Sequence, residues 1–235
     1  MEQTMKQTMK TLWIFGDSFS TRFNNKILGR WDTNYCNWKG YVPKYFGDII
    51  ANELKVDVKH FGIGGCDNYT LFHSIIKVIN LIKSDDIIII GWSDILRFRI
   101  PNKTGLFSTI RAHNFTNTMF LNKFKENFDF SEQSIKEVLI SRDNELYVYE
   151  LNDLIHLLNH IFKTNIVIHW SPFHQKSLHT TIRFSEKIET INMETAGYVN
   201  DEHYSEGGQM KISNIFIDYI ENWKKNYSNT TINLI

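Results

Sequence analysis

Four short polar clusters in this 235-residue chain carry residue types that can do chemistry together. Gly16-Asp17-Ser18-Phe19-Ser20 follows a short apolar run. A serine at such a helix start lies among backbone N–H groups that lack an intrahelical acceptor and can stabilise an anion. The same residues also suit a simple capping turn. His60-Phe61-Gly62-Ile63-Gly64-Gly65-Cys66-Asp67-Asn68 holds glycines that permit close backbone approach. Gly91-Trp92-Ser93-Asp94 is the third cluster, and Asn200-Asp201-Glu202-His203-Tyr204-Ser205-Glu206-Gly207-Gly208 the fourth. A histidine preceded by carboxylate and amide side chains suits a general base held by a neighbour, although a surface histidine would look the same in isolation.

Something must hold these clusters close, and the runs between them predict what it is. Leu12–Phe15, Val56–Ile63 and Ile87–Ile90 are short and rich in apolar or β-branched residues, and glycine follows each at once. Asn165–Trp170 is a fourth such run and ends in Ser171-Pro172. All four read as strands that end in tight turns. Between them Leu71, Ile75, Ile76, Ile79 and Ile82 recur at helical spacing, with Asp67 or Asn68 placed to cap. Leu151, Leu154, Ile155, Leu158, Ile161 and Phe162 make a second stripe, and Ile212, Ile215, Phe216, Tyr219, Ile220 and Trp223 a third. Alternating strands and helices with continuously apolar strands predict an α/β domain whose parallel sheet is covered on both faces. In such a sheet ligands sit outside the carboxyl ends of the strands, where the first three clusters fall. Residues 97–147 break the rhythm and read as an insertion within a single domain spanning 1–235.

The order and placement of the four clusters resembles the SGNH, or GDSL, hydrolases over most of the chain. Gly16-Asp17-Ser18 looks like the family's nucleophile block, His60 to Gly65 like its Asn-x-Gly-x-x-Gly block, and Gly91 to Asp94 like its Gly-x-Asn-Asp block. Asp201-Glu202-His203, followed by Ser205 and Gly208, resembles the closing Asp/His block, and Trp38–Leu54 resembles the family's first helix. The resemblance implies a flavodoxin-like three-layer α/β/α fold with a parallel sheet of about five strands. It also implies Ser18 as nucleophile and His203 as base, with Asp201 holding the imidazole. The oxyanion hole would draw on Ser18, Gly65 and Ser93. Two positions depart from the pattern. Ser93 stands where the family has an asparagine, and a hydroxyl reaches less far than an amide. Asn200 stands three residues before the histidine, where the family's aspartate would be, which makes Asn200 the alternative to Asp201 as orienting group.

The activity implied is hydrolysis of a carboxylic ester, first an O-acetyl or other acyl ester on a glycan or small molecule, with no cofactor and no metal. A catalytically weak binding module that docks glycans or surfaces is the competing class, and acyl transfer shares every residue named. Asp17, Trp92, Asp94 and His174 stand at the expected ligand edge as candidate substrate contacts.

Other chemistries fit less well. Gly-x-Gly-x-x-Gly fails at Asp67 and follows the second strand, no phosphate-cradling Gly-Lys-Ser/Thr occurs, and neither does Gly-x-Ser-x-Gly. Lys plus Arg number 26 and Asp plus Glu 26, so the chain lacks the basic surplus that nucleic acid or anionic membrane attracts. The apolar runs are too short for a membrane span or a signal-peptide core, which predicts a cytoplasmic protein. Its Ile, Asn and Lys usage fits an AT-rich genome, bacterial or viral; if viral, a virion or host-cytoplasm location follows. Asp153, His156 and His160 share a helix face but lack the Glu of a His-Glu-x-x-His metal motif. The insertion holds Phe98, Phe107, Phe115, Phe120, Phe124, Phe128 and Phe130 with Arg97, Arg99 and Arg111 among them. These residues form either a satellite core with solvated arginines or a wall over the cleft whose arginines hold an anionic group. Trp31, Tyr35, Trp38 and Tyr41 pose a similar choice between sugar platform and core edge.

Overall fold

The computed structural model describes residues 10–23, 30–95, 97–101, 103–104, 107–111, 131, 133–134, 137, 144–173, 177–184, 188–191 and 203–231. Four strands build a parallel sheet in the order β2-β1-β3-β6: β1 (Thr11–Gly16), β2 (Asp57–Gly62), β3 (Ile87–Gly91) and β6 (Ile166–Trp170). Among the described residues the sheet has four strands, where about five were expected. Apart from Thr11 at the start of β1, the two inner strands are apolar, and Ile87–Ile90 are all buried, because helices cover both faces. β2 lies at an edge and is only partly covered, so exposed Asp57 and Lys59 alternate with half-buried Val58 and His60.

One face carries α2 (Phe46–Leu54) and α5 (Glu206–Thr231), whose Phe46, Ile50, Ile212, Phe216 and Ile220 pack on Leu12, Ile14, Ile168 and Trp170. The other carries α3 (Asn68–Val78) and α4 (Asn144–Ile161), whose Leu71, Ile75, Leu151, Ile155 and Leu158 pack on Trp13, Phe15, Ile88 and Ile90. Each such buried side chain contributes about 1.5–3 kcal/mol of transfer free energy. Asp67 caps α3 by accepting the Tyr69 and Thr70 N–H groups, which settles the choice between Asp67 and Asn68. Ser205 caps α5 in the same way through the Gly208 N–H. A further helix, α1 (Arg30–Lys39), precedes α2.

Where no strand period was expected, the segment after β3 contains an antiparallel ribbon, β4 (Arg97–Pro101) with β5 (Phe107–Arg111). The start of α4 at Asn144 also lies inside the expected insertion.

The β3–β6 seam holds an inner polar pair. The Trp92 indole N–H donates to His169 Nδ1 at 3.1 Å, so the ring carries its hydrogen on Nε2, 3.2 Å from Asn159 Oδ1. Burial and, secondarily, the charge of His156 pull the His169 pKa down to about 3. Because the unfolded chain would take up this proton near pH 6.5 and the folded chain resists it, stability falls as pH drops from about 6.5 toward 3. The slope is about 1.4 kcal/mol per pH unit in that window and vanishes above it. Urea midpoints between pH 4 and 8 check this, and His169→Gln is expected to flatten the acid side. An equally steep decline in the variant would assign it to other groups.

Among the described residues, no helix is long and apolar enough to cross a membrane.

Candidate active site

The chain runs from β1 to β2 on one side and then crosses to β3 on the other. The carboxyl ends of β1 and β3 therefore flank the point where connections diverge, the place that α/β sheets use for ligands. Gly16-Asp17-Ser18 and Gly91-Trp92-Ser93 leave the sheet there.

Three glycines end β1, β2 and β3 in one register row, Gly16 opposite both Gly62 and Gly91. A 3-10 turn, Ser18–Ser20, is seated on that row. A Cβ at Gly62 would stand 2.2 Å from the Ser20 carbonyl oxygen, and one at Gly91 2.6 Å from the Ser20 hydroxyl. Only bare backbone lets the turn come this near. Gly62→Ala must therefore push the turn off the sheet, because its neighbour is main chain rather than a flexible side chain. We expect a folded protein destabilised by about 1–3 kcal/mol, the cost of forcing an extra carbon against main chain. Circular dichroism melts test it, and an unchanged midpoint would show that the turn does not need its seat.

Asp17 organises the turn. Its Oδ1 accepts the Phe19 N–H at 3.0 Å, and its carbonyl accepts the Ser20 N–H at 2.9 Å and the Thr21 hydroxyl at 3.1 Å. Ser18 itself is half-buried. The second loop turns at Ile63-Gly64-Gly65-Cys66, closed by a Cys66 N–H to Ile63 carbonyl bond of 3.1 Å. Gly65 has φ +73°, the left-handed value that a type II turn places at its third position and that glycine supplies without strain.

His203 approaches from the far end of the chain. Its carbonyl accepts the Ile191 N–H at 2.8 Å, and Thr190 bridges to Tyr204, so residues 188–191 hold 203–205 in place. The His203 ring stacks on Phe19, centroids 4.7 Å apart and planes 22° from parallel. A positive charge on this ring would lie near enough to favour ionised Asp17. The fold thus brings the Ser18 turn and His203 together. Asp201, Asn200 and His174 lie outside the described residues.

Two expected substrate contacts turn out to be interior. Trp92 is 0% exposed and packs with Phe15, Leu71 and Ile90 while serving His169. Asp17 is 1% exposed: its Oδ2 takes a 2.8 Å bond from Arg97 Nη1 and a 3.1 Å bond from the Ser93 hydroxyl. Burial pushes the Asp17 pKa up, while Arg97, the Phe19 N–H, the Ser93 hydroxyl and His203 pull it back. Ser93, expected to donate to an oxyanion, is wholly buried and directs its single hydroxyl hydrogen at Asp17. Asp94 stays half-buried at the rim.

No protein-family model matches this chain. No curated protein sequence matches it either.

Asn68 and Arg97 take roles that the sequence did not suggest. Asn68 forms a reciprocal amide pair with the Ser93 backbone, accepting its N–H at 2.7 Å and donating to its carbonyl at 3.0 Å. This ties the start of α3 to the end of β3. Arg97 donates from Nη1 to Asp17, to Ser93 Oγ at 2.9 Å and to the Cys66 carbonyl at 3.2 Å. Its alternation with Arg99, directly after the third cluster, was the available signal. The Cys66 thiol, the other nucleophile nearby, donates to the Gly16 carbonyl at 3.6 Å, and burial pushes its pKa far up, so it stays protonated.

Proposed function

We propose that this chain is a serine ester hydrolase of the SGNH type. The observation that carries the reading is the stacking of His203 on Phe19, the residue next to Ser18, at the divergence point of the sheet. Ser18 Oγ attacks the ester carbonyl and gives its proton to the His203 imidazole, which then protonates the departing alcohol. Asp201, or Asn200 in its place, orients the imidazole. The Ser18 and Gly65 N–H groups receive the oxyanion, and water releases the acyl group from Ser18. An O-acetyl or other short acyl ester on a glycan or small molecule is the substrate class proposed.

The test is acid release from aryl acetates and acetylated sugars by the purified protein, followed by pH-stat and product analysis. Stoichiometric acid supports hydrolysis. Transfer of the acyl group to a sugar acceptor instead would make the chain an acyltransferase. One observation favours a second reading, a binding module of the same fold: the Ser93 hydrogen is engaged by Asp17, and losing one oxyanion donor costs about 10²–10³ in rate. Saturable glycan binding without acid release, unchanged in Ser18→Ala, would select that reading.

A further inference from the structure

The ribbon strand β4 leaves the third loop through an Arg97 N–H to Asp94 carbonyl bond of 3.0 Å. Alternate strand residues share a face, so Arg97 and Arg99 point the same way. Each meets the aspartate of a different turn: Arg97 Nη1 lies 2.8 Å from Asp17 Oδ2, and Arg99 Nε 3.3 Å from Asp67 Oδ1. Arg97 reaches further than one partner. Its single Nη1 also touches Ser93 Oγ and the Cys66 carbonyl, so one nitrogen contacts the loops that follow β1, β2 and β3. Arg97 is 7% exposed, and the Phe173 ring lies over its guanidinium, 5.9 Å from Cζ. Water does not screen these contacts as it would on the surface. Phe173 meets Phe19 edge-on at 5.4 Å, and Phe19 stacks on His203, so the arginine is packed continuously to the candidate base.

Asp17 precedes Ser18 in the chain, and Cys66 follows Gly65. The two N–H groups proposed to receive the oxyanion therefore stand on separate loops, each adjoining a residue that Arg97 grips. Oxyanion stabilisation depends on donors fixed in advance at the right separation. We infer that Arg97 is the positioning residue that sets the spacing between the nucleophile turn and the glycine loop, an inference that rests on the Ser18 reading above. A lysine would keep the charge, but its ammonium ends short of the place where Arg97 Nη1 stands and cannot reach all three acceptors without moving the loops.

An alkyl fluorophosphonate is the probe: Ser18 Oγ bonds to phosphorus, fluoride leaves, and the hydroxyl proton passes to His203. Labelling rates by intact mass, thermal melts and ester kinetics are compared for wild type, Arg97→Lys and Arg97→Gln. Arg97→Lys is expected to fold and to label about 10²-fold more slowly, with kcat reduced and KM unchanged. Folded variants that label at the wild-type rate would overturn the positioning role and leave the Ser18 reading intact. A wild-type protein that takes no adduct would overturn both. If neither variant folds, Arg97 is a stability residue and the inference also fails.

Discussion

Ser18→Ala is expected to take no fluorophosphonate and to lose ester turnover by about 10⁴-fold or more, while wild type gains one adduct. The size of the effect follows from how few nucleophiles the site offers. Ser20, in the same turn, is fully buried and its hydroxyl is wedged over the bare backbone of Gly16 and Gly91. Cys66 is buried with its thiol turned to the Gly16 carbonyl and held protonated. With the Ser18 oxygen removed, neither Ser20 nor Cys66 is placed to substitute for it. Truncating one oxygen on a half-buried residue disturbs little packing, so the melting temperature should hold. An adduct that survives in the variant, mapped by peptide mass to another residue, would remove Ser18 from its proposed role.

Asp17→Ala is expected to be the most destabilising single change at the site, by about 3–5 kcal/mol. The cost is not that of a lost surface ion pair, because Asp17 and Arg97 are both nearly excluded from water. Truncation strands the guanidinium without its counter-charge, leaves the Ser93 hydroxyl without its acceptor and uncaps the Phe19 N–H. For a chain of this size that corresponds to a drop in melting temperature of about 10 °C. Pairing it with Arg97→Met, which removes the stranded charge, should recover much of the loss, since an apolar pair can replace a buried ion pair at little cost. Denaturant midpoints of the two single variants and the double variant check both statements. A midpoint for Asp17→Ala equal to wild type would mean that water or another carboxylate takes over the guanidinium.

The four strands of the sheet were legible because their signals are local: a short apolar run, then a turn residue. The cap of α3 was legible to within one residue, Asp67 or Asn68, for the same reason. The ribbon was not. Arg97-Phe98-Arg99-Ile100 does alternate, but its charged residues face inward, and charge on an inward strand face makes sense only once its partners are known. Those partners, Cys66 and Asp17, lie 31 and 80 residues back in the chain. Trp92 misled for a similar reason. An indole on a loop at the ligand edge looks like a substrate contact until His169, 77 residues on, takes its N–H. Ser93 was recognisable as a departure from the family pattern, yet what its hydroxyl does depends on Asp17, across a strand boundary. Residue types at the site could be read from the sequence, whereas the pairing among them comes from the fold.

The row formed by Gly16, Gly62 and Gly91 also bears on how the sheet chooses its alignment. In a parallel sheet of apolar strands, sliding one strand along its neighbour by a residue exchanges one set of hydrophobic side chains for another, which specifies the correct pairing weakly. Here a slip of β1 against β3 would bring Ile90 level with Gly16, and a slip against β2 would bring Phe61 there. Either side chain would occupy space that the Ser20 turn needs. Misaligned pairings therefore cannot close their carboxyl edge, and the requirement that the candidate nucleophile be seated doubles as a proofreading step in assembly of the sheet.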